Sequence, residues 1–137
     1  MENEEIKLWS PTTIGVTAFF LGFPGGALLA TINADRMGDA ENKRKYVMNG
    51  VLYVVAFVFF RQIIDQSGLT AVLGIANIFL AYWLYHDMTD EIEENTAEET
   101  VVFDSWKKAV WIALGTLIAV TLLRFLFETL MMAFSAL

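Results

Sequence analysis

Two pairs of opposite charge at helical spacing, Arg61 with Asp65 and Arg124 with Glu128, stand out as residues able to do chemistry. Four positions apart on a helix, each acid shares a face with its arginine and can close a local ion pair. Snorkelling arginines with such pairs are the plain reading. Joined across neighbouring helices, the same four residues would form one charged cluster able to attract a charged solute. Asn77, and less deeply Asn49, lie within apolar runs, where an amide surrounded by hydrocarbon has to find a protein partner. In Phe23-Pro24-Gly25-Gly26 a proline beside two glycines removes a backbone hydrogen bond and lowers resistance to bending. That segment reads as a packing kink with close helix approach, or as an unwound stretch whose freed carbonyls line a substrate or ion site.

Between His86 and Ser105 the chain carries Asp87, Asp90, Glu91, Glu93, Glu94, Glu98, Glu99 and Asp104, with no Lys or Arg to offset them. The segment over 87–105 therefore reads as a solvated loop or short helix standing away from an anionic surface. Asp90, Glu91, Glu93 and Glu94 are its candidates for docking a basic partner. Asp87, Thr89, Glu91, Glu93, Asn95 and Glu98 fall on the oxygen-ligand positions of a calcium loop. Ile92, however, occupies the place that needs a tight-turn glycine, so no metal is expected. His86 is the single histidine and cysteine is absent, which removes disulfides, thiolate metal sites and a cysteine nucleophile. No H-E-x-x-H, no G-x-x-x-x-G-K and no carboxylate pair within an apolar run is present, so neither catalytic residues nor a cofactor are expected. A net charge of -7 argues against nucleic acid as a partner.

The elements that would position these residues are set by hydropathy. Hydrophobic residues make up 56% of the chain and charged ones only 18%, below the roughly one-quarter charged content of soluble domains. The apolar content is concentrated in four stretches, which predict spans at about 11–33, 46–64, 68–86 and 107–130. Each approaches or exceeds the roughly 20 residues a helix needs to cross a bilayer. None carries the polar stripe that a water-soluble bundle would require. The residues ahead of the first span are acidic, Glu2, Glu4 and Glu5, unlike the positive start of a signal peptide, so the segment is read as a retained span.

Basic residues fix orientation. Arg36, Lys43, Arg44 and Lys45 follow the first stretch and Lys107 and Lys108 precede the fourth, which predicts both loops in the cytoplasm and both termini outside. Tyr46, Tyr82, Trp83, Tyr85, Trp106 and Trp111 fall near the expected cytoplasmic ends, and Trp9 at the expected outer end of the first span. Ser10-Pro11 has the chemistry of a helix start, and Asp39 that of a cap for a second helix running through the basic turn. Ala71, Gly74 and Ala81 recur near the face of Asn77, a small-residue surface suited to close helix packing.

From Ser10 to about Gly50 the pattern Ser10-Pro11-x-x-Ile14, Phe20-Leu21-Gly22-x-Pro24 and Asn33-x-x-Arg36-Met37-Gly38 resembles the start of a group of small, uncharacterised bacterial membrane proteins. The likeness covers less than a third of the chain. It implies a similar multi-span layout, a bacterial inner (plasma) membrane and nothing catalytic. Small multidrug exporters also have four short spans, but they place a glutamate in the first, where this chain has no acid. Dimeric fluoride channels share only an isolated asparagine with it. The expectation is an all-α, integral membrane four-helix bundle in the lipid bilayer, a non-enzymatic accessory or interaction subunit or self-associating homo-oligomer. The alternative is a small transporter or channel using the broken first helix and Asn77.

Overall fold

In the computed structural model, which describes residues 5–97 and 100–137, helices dominate. Strand β1 covers Glu5–Leu8 and is followed by α1, Pro11–Leu21, and α2, Phe23–Arg36. Then come α3, Ala40–Phe60, α4, Gln66–Asn95, strand β2, Thr100–Phe103, and α5, Trp106–Ser135. Two of the helices, α4 and α5, are long and apolar enough to cross a membrane.

The start of α1 follows local chemistry. Ser10 caps it, its hydroxyl accepting from the Thr13 amide at 3.1 Å, and Pro11 occupies the first turn, where a missing N–H costs nothing. The helix ends at Leu21 because Pro24 has no N–H for the Phe20 carbonyl, and its ring would collide with that carbonyl. Gly22 then takes φ 97° and ψ 152°, a backbone region essentially open to glycine alone. Pro24, Gly25 and Gly26 lie in the first turn of α2, one step beyond the break.

The chain reverses at this point. Asn33, near the end of α2, bonds both backbone groups of Trp9, just ahead of α1: its Oδ1 accepts from the Trp9 amide at 2.9 Å and its Nδ2 donates to the Trp9 carbonyl at 2.8 Å. Closer to the turn, a methyl group on Gly26 would come within 2.5 Å of the Ala18 Cβ, so the two backbones approach as only a glycine permits. The stretch 11–33, expected to be one span kinked or unwound near Pro24, is broken at Gly22 and folds back as an antiparallel helical hairpin. Proline and glycine stop the first helix, and small residues with Asn33 hold the second against it.

This hairpin is the core of the molecule. Ile14, Ala18, Phe23, Ala27, Leu29 and Ala30 are buried within it. Helix α4 packs on α1, α3 on α2, and α5 on both. Gly15 seats against Tyr85 and Ala81 of α4, and Gly25 against Ala113 of α5, each closely enough that a side chain would crowd its neighbour. Gly74, expected to join Ala71, Ala81 and Asn77 in a packing face, meets no other helix among the described residues within 4 Å of where its Cβ would be. Of that face, only Ala81 is buried.

Two further expectations change at the open end of the hairpin. The acidic segment 87–105 is not a free loop: α4 continues to Asn95, and Thr100–Phe103 pairs in parallel with Glu5–Leu8, Glu5 opposite Thr100 and Leu8 opposite Phe103. A paired β1 and β2 lie together, so the N-terminal strand and the acidic segment cannot occupy opposite sides of a bilayer, as both termini outside would require. Trp9 likewise stands at this end. It is buried, with the Arg36 guanidinium 4.7 Å above its ring, rather than at the far surface.

Candidate functional site

At the closed tip of the hairpin, Gly22, Pro24 and Gly25 form one wall of a cavity of about 280 Å³. Tyr53 of α3, Asn77 of α4 and Arg124 of α5 form the others. Tyr53 donates its hydroxyl to Asn77 Oδ1 at 2.9 Å, which ties α3 to α4 and orients the amide. The one other hydroxyl that the described residues bring to the wall, on Thr121, is bonded to its own helix at Leu117. The broken helix, Asn77 and Arg124, scattered over a hundred positions of sequence, thus converge on one space.

Arg124 leads from the cavity into the charge cluster. Its Nε and the Nε of Arg61 both donate to Glu128 Oε1, each at 2.9 Å. Three of the four residues expected in that cluster come together, and Asp65 does not. Its carboxylate accepts from the Ser67 hydroxyl at 2.7 Å, and that bond with the Gly68 amide holds its pKa below the usual range. Asn49 does not line the cavity: it lines a neighbouring groove with Phe23, Leu52 and Trp83, which shares Tyr53 with the cavity.

A larger groove of about 450 Å³ runs between α2, α3 and α5. It is walled by aliphatic side chains such as Leu28, Val51, Val55 and Leu123. Its threonines, Thr31 and Thr116, spend their hydroxyls on carbonyls of their own helices, Ala27 and Ile112. It offers nothing to recognise a polar molecule, so the smaller cavity is the better candidate despite its size.

A second polar centre sits at the open end. Tyr46 of α3 reaches Asp87 Oδ2 at 2.5 Å and Glu91 Oε1 at 2.7 Å, and Lys45 bonds the same two atoms at 2.6 and 3.3 Å. A phenol has one hydrogen, so one of its two close carboxylate contacts needs a proton on the acid. Glu91 is the buried one, 4% exposed, and its Oε2 has no partner among the described residues. Burial pushes its pKa above the ordinary glutamate value, and the bonds from Tyr46 and Lys45 only partly oppose this. Burial also works against the Lys45 ammonium, but its bonds and attraction to Asp87 and Glu91 prevail and raise its pKa.

The docking group is therefore divided. Asp90, Glu93 and Glu94 are exposed and available, whereas Glu91 is turned into the protein. Glu98 and Glu99 lie outside the described residues. Sequence reasoning missed Asn33 and the inward role of Glu91. Both had a signal, since Gly26, Leu29, Ala30 and Asn33 repeat at helical spacing, as do Ala81, Leu84, Met88 and Glu91. Lys43 pairs with Asp35 at 2.6 Å, and Arg36 donates to the Lys7 carbonyl at 2.8 Å. Much of the basic turn is thus occupied within the protein.

The fold and site define a helical protein with two helices long and apolar enough to cross a membrane and, at the tip of a helical hairpin, a mostly apolar cavity that carries Asn77 and Arg124. No family model matches the sequence, and no curated protein and no solved structure is significantly similar to it.

Proposed function

We propose that this is an integral membrane protein whose hairpin enters and leaves the bilayer from one side, and that the cavity at the hairpin tip serves the passage of a small polar solute. The membrane setting is supported by what the long helices leave uncovered. Only 17% and 6% of the most apolar windows of α4 and α5 are buried, and Phe20, Ile63, Phe79, Trp111 and Phe134 are each at least 70% exposed. Water would not tolerate that much contiguous apolar surface on a monomer. Helices α1 and α2, of 11 and 14 residues, reach only about 16 and 21 Å, short of a bilayer's roughly 30 Å. Their turn is acceptable at membrane depth because three helices surround it.

On this reading α4 and α5 cross, α3 crosses beside them with its uncharged stretch from Tyr46 to Phe60, and the hairpin does not cross. The N-terminal strand lies with both charged loops, and the C-terminus lies opposite. Lys7 then joins Arg36, Lys43, Arg44, Lys45, Lys107 and Lys108 on one side, which favours the cytoplasm for that side more strongly than four crossings would. The bacterial inner membrane is the location that the resemblance over Ser10 to about Gly50 suggests.

The observation that carries the solute reading is the convergence of the Gly22 break, Asn77 and Arg124 on one cavity. Purified protein in liposomes is expected to pass a small charged solute, and Asn77→Leu to abolish the flux without changing the helical content. A tight, impermeable vesicle would overturn the proposal.

A second reading, a self-associating or accessory subunit, is favoured by Gly74 and Gly115, at both of which an added methyl would meet no other helix among the described residues within 4 Å. Such bare glycines suit the approach of another helix. Crosslinks between copies through cysteine at position 74 or 115 would support it, and a lone monomer in native lipid would count against it.

A further inference from the structure

The tip cavity has a charge imbalance that selects its solute, and the inference rests on the solute reading above. Two guanidinium groups, Arg61 and Arg124, share a single carboxylate oxygen on Glu128. Asp65, the acid that the sequence offers as a fourth member, is turned away to Ser67. All three side chains of the trio are largely covered, at 22%, 24% and 26% exposure. One positive charge is thus left unmatched where α3 and α5 meet, and an unmatched charge close to hydrocarbon is costly.

The uncommitted polar groups in the cavity wall are donors. Arg124 gives only its Nε–H to Glu128, which leaves its terminal N–H groups free of protein partners among the described residues. Asn77 has its oxygen engaged by Tyr53, and its Nδ2 has no protein partner among the described residues. Among the described residues no Asp or Glu lines the cavity. Helix α2 begins at the same wall, and the positive end of its dipole adds to the sign already set by Arg124.

We infer that the cavity takes a small monovalent anion, held between the Arg124 guanidinium and the Asn77 amide. One excess positive charge balances one negative charge and not two. The remaining walls, Phe20, Leu21, Phe57 and Leu117 among them, replace no hydration, so a weakly hydrated anion such as nitrate or iodide is preferred to sulfate or phosphate. A volume of about 280 Å³ admits such an ion with several of its waters, each of which occupies about 30 Å³ in the liquid.

The test is flux of nitrate, iodide, sulfate and potassium through the full-length protein in liposomes. Nitrate and iodide are expected to pass at least about tenfold faster than sulfate or potassium. Arg124→Gln removes the unmatched charge and should lower nitrate flux about tenfold or more, with Arg124→Lys retaining a larger share. Asn77→Asp, close in shape, places a carboxylate beside Arg124 and should stop nitrate even where the Arg124 variants fail to fold. Potassium passing in preference to nitrate, or nitrate flux untouched by Asn77→Asp, would overturn the anion assignment while leaving a solute pathway in place. Absence of flux for all four ions would overturn both.

Discussion

Replacing Asn33 attacks the contact that closes the hairpin at its open end. Its side chain is fully buried and makes a two-bond pairing with the backbone of Trp9, itself only 2% exposed. Asn33→Ala leaves the Trp9 N–H and C=O without partners in a place water does not reach. Each orphaned group costs about 1–3 kcal/mol, so the pair should cost about 2–6 kcal/mol. That is a large fraction of the roughly 5–15 kcal/mol that stabilises an ordinary domain. Asn33→Asp separates the two bonds. It keeps an acceptor for the Trp9 amide but sets an oxygen against the Trp9 carbonyl, so it should lose stability at neutral pH and recover part of it as acid supplies a proton to donate. Unfolding of the detergent-solubilised protein, followed by circular dichroism, measures the loss. Amide hydrogen exchange at Trp9 locates it, with slow exchange expected in the native chain and fast exchange in Asn33→Ala. If the alanine variant lost less than about 0.5 kcal/mol with Trp9 still protected, the pairing would not be what closes the hairpin.

Three other outcomes follow from the same geometry. Gly26→Ala places a methyl 2.5 Å from the Ala18 Cβ and 3.0 Å from Leu84 Cδ1 and should cost about 1–3 kcal/mol; adding Ala18→Gly should restore part of it, and a purely additive double variant would contradict the close approach. Glu91 has a folded-state pKa above its ordinary value of 4.5, so the folded protein binds that proton more tightly. Its contribution is full below the ordinary value and is lost as pH rises through the raised one. Glu91→Gln should lack that decline, and parallel stability profiles for the two proteins would refute it. Because the chain has no cysteine, single cysteines at Glu5, Ala97 and Leu137 report topology; the first two should label from one side of the membrane and the third from the other, and labelling of Glu5 and Ala97 from opposite sides would contradict the pairing of β1 with β2.

What could be read from the sequence alone was local or additive. Hydropathy summed over a window marks α4 and α5, and the caps at Ser10 and Asp39 depend on residues within one turn, so both stand as expected. The Asn77 amide had to find a partner, and Tyr53 is that partner. Tertiary structure decided the rest, because the competing arrangements have equal hydropathy. A rod and a hairpin over 11–33 contain the same apolar residues. They differ in whether Asn33 meets Trp9, 24 positions away, and whether three helices shelter the turn at Gly22. Glu91 resembles Glu93 and Glu94 in sequence, and only the continuation of α4 against Tyr46 turns it inward. The sign of the tip cavity was also a tertiary matter: Asp65 and Glu128 follow their arginines at the same spacing, yet one bonds a neighbouring serine and the other bridges two helices, which leaves the positive charge unbalanced.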